Sequence, residues 1–259
     1  MTAKQGSKAM PFISVLLALL LAAVLPAAAG AAEIDHAGQY RACMILVKRD
    51  PEEAFESALA WRDMGGGDAA KHCAAAALMG LKQYGEAAKR FENLAQEMKA
   101  GAGVKAGLLG HAAQAWLLHG MPERADEVLG AALKLKPLDV DLMIDRAVVR
   151  AALGRYRDAV GDLDQAIDLD SSRPDAFVFR ASAYRYLDKL DEAEADASRA
   201  LGLDPDHSEG LLERGIIRRL KGDNGGARSD WLRVLRETPG TAAAGAAGAN
   251  LEKMDVKTE

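Results

Sequence analysis

The chain has 259 residues, 49% hydrophobic but only 5% aromatic, with 25 glycines. That length allows a sizeable core, built from Ala, Leu and Val rather than from large rings. The net charge of −5, with no Lys/Arg-rich run, argues against a surface for nucleic acid or anionic membrane.

At the N-terminus, Lys4 and Lys8 precede the apolar run "PFISVLLALLLAAVL", which gives way to Pro26 and "AAAGAA". Charged, apolar, then small residues is the order of a secretory signal, read here as residues 1–32 with cleavage after Ala29 or Ala32. The alternative is a retained membrane anchor. A spanning helix needs about 20 apolar residues, and Pro26 interrupts this run early. The first cysteine after it is Cys43, which speaks against a lipid-modified N-terminus. Loss of Lys4 and Lys8 takes the net charge from −5 to −7. Export also changes how Cys43 and Cys73 read, 30 residues apart. In an oxidising compartment such a pair becomes a disulfide, contributing about 3–4 kcal/mol in the chain-entropy model. The alternative is redox or metal chemistry, but no Cys-x-x-Cys is present and two isolated cysteines are too few for a zinc cage.

From residue 106 to 239 the chain repeats itself at 34 residues, in windows starting at Ala106, Val140, Pro174 and Ser208. The eighth positions are Ala113, Ala147, Ala181 and Gly215; the twentieth are Ala125, Ala159, Ala193 and Ala227. The twenty-seventh are Ala132, Ala166, Ala200 and Val234, and Pro137, Ser171, Pro205 and Pro239 stand near each end. Apolar residues recur at three and four, as in "LLGHAAQAWLL" and "ADEVLGAALKL", which predicts a helical hairpin per window. Small residues let crossing helices approach closely. Gly120, Gly154 and Gly222 suit the intervening turn, where a helix ends with positive φ. Glu123, Asp158, Asp191 and Glu192 then open the second helices, matching the helix dipole.

This pattern resembles the tetratricopeptide repeat family, whose large-residue positions hold Leu109, Met143, Phe177, Leu211, Trp116 and Tyr184. Two more divergent units precede the four, since "YGEAAKRFENLA" (84–95) aligns with "DPEEAFESALAW" (50–61). The expected organisation is a signal at 1–32, two divergent units at 33–101, a short insertion at 102–105 and four units at 106–239. A capping helix and frayed tail follow at 240–259, because a terminal repeat leaves one apolar side open. In this register Cys43 and Cys73 fall on first helices of neighbouring units.

Charges recur with the repeat. Arg146, Arg180 and Arg214 hold the seventh position, and Asp162, Asp196 and Asp230 the twenty-third. A catalytic carboxylate needs a distinct environment, whereas here one pair recurs three times, so these read as structural ion pairs that fix register. The histidines, His36, His72, His111, His119 and His207, form no His-x-x-x-His pair. "GAGVKAG" (101–107) misses the dinucleotide-binding glycine spacing and follows a helix, not a strand. "GGGDAAKH" (65–72) lacks the Gly-Lys-Ser/Thr of a phosphate loop, so both read as linkers between units.

The family resemblance implies a ligand groove lined by first helices. Carried onto this chain it comprises Gln114, Leu117 and Leu118; Ile144 and Val148; Val178, Ser182, Arg185 and Tyr186; and Leu212, Ile216, Arg219 and Leu220. The family's clamp for chaperone C-terminal carboxylates is not evident. Gln114, Val148, Ser182 and Ile216 occupy its position instead. The expected fold is all-α, a right-handed superhelical solenoid of about six hairpins plus a cap. The expected function is a non-catalytic, exported, periplasmic scaffold that binds a protein or peptide partner. No cofactor, metal or nucleic acid is implied, and membrane contact follows only if the N-terminal segment is retained. The alternatives are a membrane-tethered assembly factor and an enzyme acting on wall polymer.

Overall fold

Each 34-residue window folds as two antiparallel helices because its small residues disappear into the crossing. Ala113, Ala147 and Ala181 are at most 1% exposed, and Ala125, Ala159, Ala193 and Ala227 are fully covered. The structure, a computed structural model, describes residues 1–2 and 35–255. The signal expected at 1–32 and the frayed "VKTE" therefore lie outside the described residues, apart from Met1 and Thr2.

Among the described residues there are thirteen α-helices and no strand. They pair as α1 (His36–Arg49) with α2 (Pro51–Trp61), α3 (Gly67–Gly80) with α4 (Tyr84–Glu97), and α5 (Ala102–Leu118) with α6 (Pro122–Leu135). Then come α7 (Val140–Ala152) with α8 (Tyr156–Leu169), α9 (Pro174–Tyr186) with α10 (Leu190–Leu203), and α11 (Ser208–Leu220) with α12 (Asn224–Glu237). The last helix, α13 (Ala242–Asp255), packs on α12 and α11. Every hairpin also contacts the next, giving a solenoid whose first helices run side by side.

The turns share one backbone device. The amides of Gln83, Met121, Arg155, Lys189 and Asp223 reach back five residues to Leu78, Trp116, Arg150, Tyr184 and Arg218. This closure needs a left-handed residue, supplied by Gly120, Gly154 and Gly222 but by Lys82 (φ 58°) and Asp188 (φ 60°) in the other two. A non-glycine residue there costs about 1–2 kcal/mol. Helix starts are capped by Asp50, Asp139 and Asp223, which accept from the amides of Glu53, Leu142 and Gly226.

Residues 102–105, expected as a short insertion, are helical. They form the first turn of α5, whose start is closed by Val104 and Lys105 donating to the Gly101 carbonyl, so the extra residues lengthen the helix. The glycine stretch between the first two units is a π-type turn, Arg62–Gly66, containing Gly65 at φ 93°. It leads directly into α3. The Sγ atoms of Cys43 on α1 and Cys73 on α3 stand at disulfide distance, with 6.3 Å between their Cα atoms.

Candidate functional site

The repeated Arg–Asp pairs meet inside the hairpins. Arg146 donates two hydrogen bonds to Asp162 at 2.9 and 2.7 Å, and Arg180 and Arg214 do the same to Asp196 and Asp230. The three carboxylates are buried. Arg150 and Arg218 add a third bond to Asp162 and Asp230, and each also ties back to the preceding hairpin, at Asp126 and Glu194. At the same place in the middle unit stands Tyr184, and Arg180 reaches Asp164 instead. All three carboxylates are held by guanidinium donors on both oxygens, as structural ion pairs repeated at the period of the array.

The histidines are likewise engaged. Trp61 Nε1 donates to His36, and His207 accepts from the amide of Gly210. His119 lies against Trp116. His72 shares a 3.0 Å hydrogen bond with the Tyr40 hydroxyl and lies 5.8 Å from the ring of His111. Burial, reinforced by His111, pushes the His72 imidazole down to about 4. Burial lowers His111 as well. Among the described residues no cluster of three His, Cys, Asp or Glu could hold a metal ion.

The first helices enclose a groove, but not with all the residues expected of it. Ile144 and Val178, at 4% exposure each, belong to the core. Neighbouring first helices approach closely there: a Cβ on Gly210 of α11 would sit 3.4 Å from Val178 Cγ2. Arg185 is not a free anchor, since it forms a 2.5 Å ion pair with the buried Glu213 and lies over the Tyr186 ring at 4.4 Å. Tyr186 in turn stacks flat on Tyr156 at 4.5 Å. Leu118, Tyr186 and Leu220 are the last residues of α5, α9 and α11, each more than half exposed, and so form an apolar margin. Gln114 and Arg219 are exposed, while Leu117, Val148, Ser182, Leu212 and Ile216 are half-buried.

A concave part of the groove lies between α5, α7 and α9. A cavity of about 300 Å³ is walled by Leu117, Ile144, Val148 and Phe179 on its apolar side and by Asp141, Asp145, Arg173 and Asp175 on the other. A second cavity of about 350 Å³ adjoins it through Gln114, Asp141 and Asp145. Arg173 pairs with both Asp141 and Asp175, and Lys136 with Asp139. Asp145 has no hydrogen-bond or ion-pair partner among the described residues. Its carboxyl is hemmed in around the concavity yet open to water, and its pKa is pushed up to about 6. Burial is the main cause, followed by the charges of Asp141, Asp139 and Asp175, with Arg173 opposing them. The site is an acidic pocket, only partly neutralised by Arg173 and Lys136, beside an apolar wall. The sequence carried half of this signal: Asp141, Asp175 and Glu209 recur at the second position of three windows. Asp145, Phe179 and Glu213 share the sixth position but not a residue type, so no recurrence marks them.

Residues 174–207 match the tetratricopeptide repeat family. The chain is 34% identical over 95 residues to tetratricopeptide repeat protein 36 of Bos taurus, covering 35% of this chain and 50% of that protein. It is 27% identical over 109 residues to a DnaJ homolog subfamily C member 7 homolog of Dictyostelium discoideum, 42% of this chain and 20% of that protein. The chain thus spans half or less of these curated relatives. Among solved structures, the C-terminal part of a TPR repeat-containing protein from Cytophaga hutchinsonii superposes with TM-score 0.59 at 17% identity, over 83% of this chain and 82% of that one. YrrB, described as a TPR protein with an unusual peptide-binding site, gives 0.51 at 17% identity, over 74% and 96%. A monomeric mutant of IFIT1 with Gppp-AAAA gives 0.65 at 16% identity, over 85% and 53%. The fold is that of a tetratricopeptide repeat solenoid.

Proposed function

We propose that the protein is a non-catalytic scaffold that holds a polypeptide segment in the groove between α5, α7 and α9. The carrying observation is Asp145, an unpaired carboxyl between two adjoining cavities with its charge raised in cost by three neighbouring carboxylates. A Lys or Arg side chain placed there would relieve that repulsion, while Leu117, Val148 and Phe179 would cover an adjacent apolar side chain. Solenoids of this shape include one described with a peptide-binding site and one carrying Gppp-AAAA, so fold alone does not choose the ligand. Charge does: Asp139, Asp141, Asp145 and Asp175 outnumber Arg173 and Lys136, so the site repels a phosphate backbone and attracts a cationic peptide.

Selection from a random peptide display library tests this reading, with binding then measured for wild type, Asp145→Asn and Phe179→Ala. Ligands enriched in Lys or Arg, bound at least tenfold more weakly by Asp145→Asn, support it. Acidic ligands, or ligands indifferent to both variants, overturn it.

Export to a periplasmic compartment is part of the same proposal, supported by the order of Lys4, Lys8, the apolar run and the small residues after Pro26. The N-terminal mass of the secreted-fraction protein tests it. A start at Gly30 or Glu33 supports cleavage after Ala29 or Ala32, and a retained apolar run means a membrane-tethered scaffold.

A further inference from the structure

A solenoid has two ends, and among the described residues only the second is covered by a further helix. Ala243, Ala244, Ala247 and Leu251 of α13 cover Trp231 and Val234 of the last hairpin. The outer face of α13 presents Ala242, Gly245, Ala246, Ala249 and Glu252, with no large apolar group. At the first hairpin no described residue covers the corresponding surface. Between α1 and α2 lies a cavity of about 600 Å³ walled by Ala42, Ile45, Leu46, Trp61 and Met64. Ile45 is 60% and Met64 58% exposed.

The charge around this opening is split by helix. The helix α1 carries Arg41, Lys48 and Arg49 and no acid, while α2 carries Glu52, Glu53 and Glu56 and no base. All six side chains are exposed, and none is ion-paired among the described residues. Elsewhere the chain pairs its charges densely, from Arg90–Glu86 through Arg228–Asp255. At helical spacing, Arg49 continues the Ala42–Ile45 stripe of α1, and Glu53 continues the Ser57–Ala60–Met64 stripe of α2.

We infer that this hairpin face is a self-association surface, in which two copies meet about a two-fold axis parallel to α1 and α2. Such an axis sets α1 of one copy against α2 of the other, with the α1–α2 turns at the same height. Each Arg49 then faces the other copy's Glu53, and the Ile45 and Met64 side chains of both copies close the two cavities. A head-to-tail chain is disfavoured because the outer face of α13 has nothing to fill the cavity. Two short helices per copy make a small interface, so the dimer is expected at micromolar concentrations.

Sedimentation equilibrium over a concentration series tests this, using the protein in the form the producing cell leaves it. Wild type is expected at twice the chain mass. Arg49→Glu alone and Glu53→Arg alone are each expected to weaken dimerisation at least tenfold, with helicity unchanged because both sites are exposed. Mixing the two variants should restore the dimer, since both contacts then join opposite charges. Ile45→Glu should abolish it in every combination. A wild type that stays monomeric overturns the inference, and would be the result if residues 3–34 of the same chain covered the face. Variants that dimerise like wild type, or a mixture that stays monomeric, overturn it equally.

Discussion

At Asp145 the fold opposes the charge that solvent would favour. Its carboxyl titrates near 6 in the folded protein against 3.8 for the free group, so folding disfavours its charge. The resulting cost is absent below about pH 4, grows as pH rises through 6, and is complete above it. Because water reaches the group, the cost is discounted to about 1 kcal/mol. Asp145→Asn should therefore stabilise the protein by about that amount near neutrality and by nothing below about pH 4. Urea melts at the two pH values check this, and a gain independent of pH contradicts it. Gly215 is the other residue fixed by its surroundings. The earlier units have Ala at this position, but a Cβ on Gly215 would stand 2.3 Å from Trp231 Nε1. Trp231 occupies the place held by Leu129, Leu163 and Ala197 in the units before it. Gly215→Ala should cost about 1–3 kcal/mol by overpacking, and Gly215→Ala with Trp231→Leu should recover part of that loss in thermal melts.

Between elements, the ion pairs divide into two kinds. Asp162 accepts from Arg146 and Arg150, so Asp162→Ala strands Arg146, a guanidinium about one-fifth exposed, and leaves Arg150 with Asp126 alone. Loss of a buried partner costs about 3–5 kcal/mol. Asp196 serves Arg180 alone, and Arg180 keeps Asp164 when Asp196 is removed. Asp196→Ala should consequently destabilise less than Asp162→Ala in urea unfolding. Equal losses would mean that Arg150 adds nothing to the hairpin. Arg150 and Arg218 also bind the second helix of the preceding hairpin, which makes these pairs connectors between units as well as within them. Arg185, expected at the binding surface, belongs to this structural set through Glu213.

The whole molecule behaves as a row of units, each stabilised mainly by its neighbours. Its C-terminal end depends on α13, where Leu251 is 8% exposed. Leu251→Asp places a charge against Trp231 and Val234 and should cost about 2–5 kcal/mol locally. Hydrogen exchange checks the location. Protection should fall in α11–α13 and hold in α5–α8. A uniform loss across the chain would show that the array unfolds as a single cooperative block. The first hairpin differs by its half-basic, half-acidic face.

Sequence alone determined the period, the helical hairpins, the turns and the partners within each Arg–Asp pair. A 3.6-residue pattern repeated every 34 residues specifies which side of its own helix each side chain occupies. Only the tertiary structure decided what lies opposite that side. Ile144 and Val178 share the groove-facing periodicity of Val148 and Ser182, yet the approach of adjacent first helices buries them. Residues 102–105, which the repeat register reads as surplus, extend α5 by a mostly exposed first turn. The raised pKa of Asp145 arises from burial first and then from Asp141, Asp139 and Asp175, which reach it from its own helix, a helix cap and the next unit. Periodicity is a property of one helix, whereas burial and electrostatic potential sum over atoms that only packing brings together.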